Sequence, residues 1–178
     1  MLAAKREGRT VFVEDESTFS LKPYTVRGWY LRKEKPIALL TNKPHDRFYA
    51  FGVANGSKEH FRFFDGRTKK KRKVCINTRM TIVFLRYLRS KYSKLLLVWD
   101  GASNHTSRLT RKYAAKHDIE LLCFPTASPE LNAEENVWNA LKSGTANTFY
   151  ENYDDFLQAV KRKSRQKNLT KMFKYIGL

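Results

Sequence analysis

Apolar and polar positions along the chain change their rhythm about one third of the way in. Thr10–Val13 is β-branched and aromatic and then meets the acidic run Glu14-Asp15-Glu16, so it reads as a strand with a charged end. Tyr24–Leu31 alternates loosely and predicts a second strand, and Arg47–Val53 predicts a third. Asn55 and Gly56 mark a turn, after which His60–Phe64 predicts a further short strand. Strands this close in sequence pair as an antiparallel meander.

From Cys75 to Tyr92 the period becomes helical, with Ile82, Leu85, Tyr87 and Leu88 at helical spacing. Lys94–Trp99 is a continuous apolar run, the pattern of a strand covered on both faces in a parallel sheet. Thr106–His117 predicts a helix with Leu109 and Tyr113 one turn apart, and Ile119–Phe124 a second buried strand. After a loop at Pro125–Asn132, helices follow over Ala133–Lys142 and Tyr153–Lys163, the last carrying Phe156, Leu157 and Val160. A meander feeding two parallel strands with crossover helices defines an α/β fold with a mixed sheet flanked by helices. The 178 residues suit a single domain, and neither an internal repeat nor a dividing linker interrupts them.

Composition narrows the function. Lys plus Arg is 35 against 17 Asp plus Glu, a net charge of +18, while 42% hydrophobic and 13% aromatic content suffices for a core. A polyanion, nucleic acid first, is the expected partner, bound with steep salt dependence. Basic clusters recur at Lys69–Lys73, Arg86–Lys94, Arg108–Lys116 and Lys161–Lys167, a broad surface and not a tail. Candidate phosphate contacts are Lys69, Lys70, Lys71, Arg72, Lys73, Arg108, Arg111, Lys112 and Lys142. The longest clear apolar run, Leu95–Trp99, is far short of a membrane span of ~20 residues. Met1–Gly8 lacks the apolar segment of a signal peptide. Cys75 and Cys123 form no metal or redox motif and are expected as reduced core thiols of a cytoplasmic protein. The string Lys69–Val74 has the form of a nuclear import signal, but reads first as a basic DNA-facing loop before the helix.

Three acidic positions fall at strand ends, where open α/β sheets gather their chemistry. Asp15 follows the first strand core, Asp100 ends the fourth, and Glu134-Glu135 opens a helix after the fifth, with 34 residues between Asp100 and Glu135. Converging carboxylates in a basic chain suit two divalent ions that activate an attacking oxygen and stabilise the leaving one in phosphoryl displacement. Other readings stay open: Asp100-Gly101 as a turn pair, and Asn132 as an N-cap with Glu135 its capping-box partner. On a helical wheel Val137, Trp138 and Leu141 define the core face. Glu134 then lies near its centre and Glu135 at its edge, where a carboxylate can point into a cleft.

Three blocks resemble the catalytic domain of insertion-sequence transposases of the mariner-like superfamily. They are Val11-Phe12-Val13-Glu14-Asp15-Glu16-Ser17, Leu97-Val98-Trp99-Asp100-Gly101-Ala102-Ser103-Asn104-His105, and Phe124-Pro125-Thr126-Ala127-Ser128-Pro129-Glu130-Leu131-Asn132-Ala133-Glu134-Glu135-Asn136-Val137-Trp138. Pro23 and Gly28-Trp29 add to the likeness, which covers roughly residues 9–178. It implies a ribonuclease-H-like fold and an Asp–Asp–Glu triad of Asp15, Asp100 and Glu135 holding Mg²⁺ or Mn²⁺, in two ions. It further implies cutting and strand transfer at transposon ends by a homodimer, at a TA-type target. His105 matches the family histidine, and Asn132 and Trp138 match positions that cap and pack the helix. Ala127, Ala133 and Glu134 depart from the family's Tyr, Pro and Ile, and Glu134 sets a second carboxylate beside the triad. An inactive DNA-binding remnant or regulator is the alternative reading, and a related nuclease acting on RNA hybrids or DNA junctions a third. With 14 residues before Asp15, the family's helix-turn-helix region has no room, so end recognition is expected from a separate polypeptide. The expected location is the prokaryotic nucleoid, or the nucleus of a eukaryotic host.

Overall fold

The computed structural model describes residues 4, 6–22, 24–33, 37, 39–67, 74–125 and 132–165. Five strands form one sheet: β1 (Thr10–Leu21), β2 (Lys43–Ala54), β3 (Glu59–Asp65), β4 (Leu95–Trp99) and β5 (Ile119–Cys123), in the order β3-β2-β1-β4-β5. β1, β2 and β3 pair antiparallel, whereas β4 and β5 join parallel to β1 and to each other. The helices are α1 (Thr78–Arg89), α2 (Ser103–Thr106), α3 (Arg108–Lys116), α4 (Glu134–Ser143) and α5 (Tyr153–Lys163).

The two-residue period of β1 divides the interior into two cores. Val13, Phe19 and Leu21 meet Phe48, Ala50 and Ala54 of β2 beneath α4 and α5, where Val137, Trp138, Leu141, Phe156 and Val160 close the layer. On the opposite face Phe12 meets Tyr49, Phe51, Val53, Leu95, Leu97 and Trp99 beneath α1, which contributes Phe84, Leu85 and Leu88. Caps set the helix starts. The Asn77 side chain accepts from the amides of Arg79 and Met80, and that of Asn152 from Asp154 and Asp155. Asp154 and Asp155 in the first turn of α5, with Lys161, Arg162 and Lys163 in its last, also complement the helix dipole.

Several expectations are corrected. Tyr24–Leu31 is not a strand. Its aromatic and aliphatic side chains face solvent, Trp29 fully, and at Val26 the backbone N–H and C=O are both bonded by the Asn147 side chain instead of a neighbouring strand. The place of a second strand is taken by β1 itself, which runs through the acidic residues to Leu21 and pairs with Lys43. The helix expected over Thr106–His117 breaks at Ser107, whose side chain caps α3, and buries Thr110 and Ala114 while Leu109 is exposed. β5 is an edge strand with Leu122 exposed, not a strand covered on both faces. Cys75 and Cys123 are free as expected, but exposed, not core thiols. Among the described residues no helix is long and apolar enough to cross a membrane.

Candidate active site

Parallel pairing of β1 with β4 ends at Val13 and Val98, and each strand then carries an aspartate two residues further on. Asp15 and Asp100 therefore both follow the point where the strands part. β1 continues as an antiparallel partner of β2, while the chain leaves β4 through Gly101. A parting of strands at the carboxyl end of a parallel pair is where an α/β sheet opens a crevice.

Asp15 points to the α4 side. Its cross-strand partner is Gly52, and the missing side chain there gives the Trp138 ring its seat: a Cβ at Gly52 would lie 2.6 Å from that ring. The seated indole donates its Nε1–H to Asp15 Oδ2 at 3.0 Å. Burial pushes the Asp15 carboxyl up to about 6, aided by the charges of Glu16 and Asp100 and opposed by the Glu16 amide and the indole N–H. Lys142, one turn beyond Trp138, is half-buried, with Nζ 5.7 Å from the centre of the Phe19 ring. Burial lowers its pKa, and the attraction of Asp15 opposes that shift.

The two candidate glutamates of α4 separate as their helix positions require. Glu134 is wholly buried, lies against Gly52, and has no hydrogen-bond partner on either carboxyl oxygen. Burial raises its pKa well above the ordinary value, and Asp15 and Glu59 add to the shift. Glu135 is exposed in the same first turn, three residues before Trp138. Asn132 does not form the expected capping box: the N-cap is Ala133, and the Asn132 side chain accepts only the amide of Glu134, at 3.1 Å.

Asp100 leans toward the other face of the sheet. Its Oδ1 accepts from the Ala102 amide at 2.9 Å and lies 2.6 Å from His105 Nδ1. His105 is buried and stacked on Trp99, ring centres 4.3 Å apart and nearly parallel. Its Nε2 lies 2.9 Å from Glu16 Oε1 and 3.3 Å from Glu14 Oε2. Asn104 Nδ2 donates both to Glu16 Oε1 and to Thr81 Oγ1, tying this cluster to α1. The pKa of His105 is raised: burial lowers it, and Glu16 and Asp100 more than offset that.

Sequence reasoning did not find Gly52, the bond from Trp138 to Asp15, or the roles of Glu14 and Glu16. Glu14 and Glu16 continue the face of Phe12, a parity visible in the sequence once β1 is extended past Val13. Of the candidate phosphate contacts, Arg108, Arg111 and Lys112 are exposed on α3 and Lys142 is half-buried beside Asp15. Lys69, Lys70, Lys71, Arg72 and Lys73 lie outside the described residues, as does most of the loop at Pro125–Asn132.

Residues 10–157 match the family model of the DDE superfamily endonucleases, and the chain belongs to that family. The fold is the ribonuclease-H-like one of mariner catalytic domains. The catalytic domain of Mos1 mariner transposase superposes with a TM-score of 0.66 at 14% identity, covering 99% of this chain and 80% of that one. The Mos1 transposase paired-end complex with left transposon end gives 0.68 at 16% identity, covering 99% and 54%. The Mos1 mariner paired end complex with Mn gives 0.69 at 14%, covering 99% and 55%. The chain thus spans about half the length of these transposases. A search of curated proteins by sequence returns no match.

The donor set suits a divalent cation. Asp15 and Asp100 offer hard carboxylate oxygens where the strands part, and the side-chain hydrogen bonds of Asp100 run through Oδ1; Asp15, Asp100 and Glu135 do not bring three ligand atoms within 4.8 Å of one another.

Proposed function

We propose that the chain is the catalytic domain of a transposase, cutting DNA at transposon ends and joining the freed 3′-end to a target. The observation that carries this reading is that Asp15 and Asp100 each lie two residues beyond the last paired position of β1 and β4, with α4 tied to Asp15 through Trp138. Two divalent ions, Mg²⁺ or Mn²⁺, would activate the attacking oxygen and stabilise the leaving one.

Asp15 and Asp100 are the ligands from the strands, and Glu135 is the ligand from α4. A group that shares an ion with a scissile phosphate must be reachable from solvent. Glu135 is reachable, and Glu134 is not. Trp138 fixes the direction of Asp15, and Lys142 and the exposed basic face of α3 balance the phosphates that the carboxylates would repel. DNA ends held by a homodimer, a TA-type target and a separate helix-turn-helix polypeptide complete the proposal.

The test is nicking of a plasmid carrying the element's inverted repeats, with Mg²⁺ or Mn²⁺. Asp15→Ala, Asp100→Ala and Glu135→Ala are each expected to remove activity, by about 10³-fold or more if several kcal/mol of metal-assisted stabilisation is lost. Equal nicking by the unaltered chain and Asp100→Ala overturns the reading. Glu134, a buried carboxyl where the family has an apolar residue, favours one rival: an inactive DNA-binding remnant. That rival predicts salt-sensitive DNA binding with no nicking under any metal.

A further inference from the structure

The face of β1 away from Asp15 holds a second convergence of ligand atoms. One atom each from Glu14, Glu16 and His105 lie within 4.8 Å of one another, with His105 Nε2 2.9 Å from Glu16 Oε1 and 3.3 Å from Glu14 Oε2. A cation bound about 2.1 Å from each ligand spaces them about 3.0–3.4 Å apart; both histidine distances lie close to that range, and the two glutamate oxygens lie within 4.8 Å of each other.

Glu14 is the independent sign that something is to be held there. It is 1% exposed, points into the cluster, and has no hydrogen-bond partner on either oxygen. A buried carboxyl without donors is costly and needs a specific reason. Among the described residues neither Lys nor Arg pairs with Glu14, Glu16 or Asp100, although the chain carries a surplus of 18 positive charges. The imidazole is oriented as in a metal centre. Its Nδ1 is taken by Asp100 Oδ1 at 2.6 Å, its ring is fixed on Trp99, and its Nε2 faces the two glutamates. A carboxylate behind a histidine is the usual outer support of a bound metal.

We propose that Glu14, Glu16 and His105 form a second cation site, separate from the Asp15 crevice, that takes a divalent transition ion of the Mn²⁺ or Zn²⁺ class in preference to Mg²⁺. The nitrogen ligand sets that preference, since Mg²⁺ favours oxygen donors throughout. Asp100 is the positioning residue of this site through Oδ1 and a proposed ligand of the crevice through its other oxygen. A filled site therefore fixes the carboxylate that faces DNA. Entry runs past Asp100, whose side chain is 53% exposed.

The test is Mn²⁺ bound to the tag-free chain, read by pulsed electron resonance for coupling to a histidine nitrogen. Coupling is expected in the unaltered chain and in Asp15→Asn, which removes a ligand on the opposite face. It is expected to vanish in His105→Gln and to need about tenfold or more Mn²⁺ in Glu14→Gln and Asp100→Asn. Excess Mg²⁺ is expected to leave the nitrogen-coupled signal in place. Circular dichroism confirms that each variant folds, and if His105→Gln does not, the Glu14→Gln titration decides. Absence of nitrogen coupling in the unaltered chain, its survival in His105→Gln, an unchanged Glu14→Gln titration or its loss to Mg²⁺ overturns the proposal. No DNA is present, so the outcome is independent of whether the chain cuts DNA.

Discussion

The two faces of β1 carry the same kind of residue and treat it in opposite ways. On the α4 side Asp15 accepts from the Glu16 amide and the Trp138 indole. On the α1 side Glu14 and Glu16 are enclosed around His105, and Asn104 ties them to Thr81. Alternation along one strand therefore turns one carboxylate toward α4 and encloses two around His105 on the other face. Asp100, just past the neighbouring strand, contacts His105, and its charge acts on Asp15. A charged residue in a strand is thus not one category. Its parity decides whether it faces substrate or supports what does.

The widest separation of the faces is expected from Gly52→Ala. The added methyl would sit 2.6 Å from the Trp138 ring, so α4 must shift or the indole must turn. Overpacking of this kind costs about 3 kcal/mol. The measurement is urea unfolding alongside nicking activity, and both should fall. An unchanged chain with its Trp138 fluorescence intact would show that the seat is loose.

Glu134→Leu should act in the other direction. It replaces a buried carboxyl without partners by an apolar group of similar volume, and is expected to stabilise the fold by about 2 kcal/mol. Activity should survive, because the ligand proposed from α4 is Glu135. Loss of metal-dependent nicking in Glu134→Leu, with Glu135→Ala active, would exchange their roles. Trp138→Phe is the finer cut: the ring stays and the donor goes. A hydrogen bond to a charged group is worth about 1.5–3 kcal/mol, so the Asp15 carboxyl, already raised to about 6, should titrate higher. The activity profile should then move to higher pH. An unmoved profile with full activity would reduce Trp138 to packing alone.

These contrasts also mark what could be read before the structure. The five apolar residues of β4 declared a strand, and the wheel of Val137, Trp138 and Leu141 placed Glu134 inside and Glu135 at the edge, as the burial of Glu134 and the exposure of Glu135 bear out. β1 runs further than its apolar pattern because three carboxylates in succession interrupt that pattern, one turned toward α4 and two enclosed around His105. Tyr24–Leu31 misled for the inverse reason: its composition suits a strand, but no core receives it. Gly52 carried no local signal, since its reason is an indole brought over it by α4.

Glu59 offers the smallest and cleanest comparison. It lies on the α4 side at the start of β3, opposite Ala54, and burial pushes its carboxyl from 4.5 up to about 7. The sign follows from proton counts. The unfolded chain releases this proton near 4.5, the folded chain only near 7, so the folded state binds more protons between those values and stability falls as pH rises through that window. The loss is on the order of 1 kcal/mol once partial exposure of the side chain is allowed for. Glu59→Gln should remove that slope and leave the pH dependence contributed by the α1 side as it was, read as urea midpoints at pH 5 and pH 7.5. If the slope persists undiminished, the titrating group is another buried carboxyl of raised pKa, Asp15 or Glu134 on the same face or Glu14 on the other.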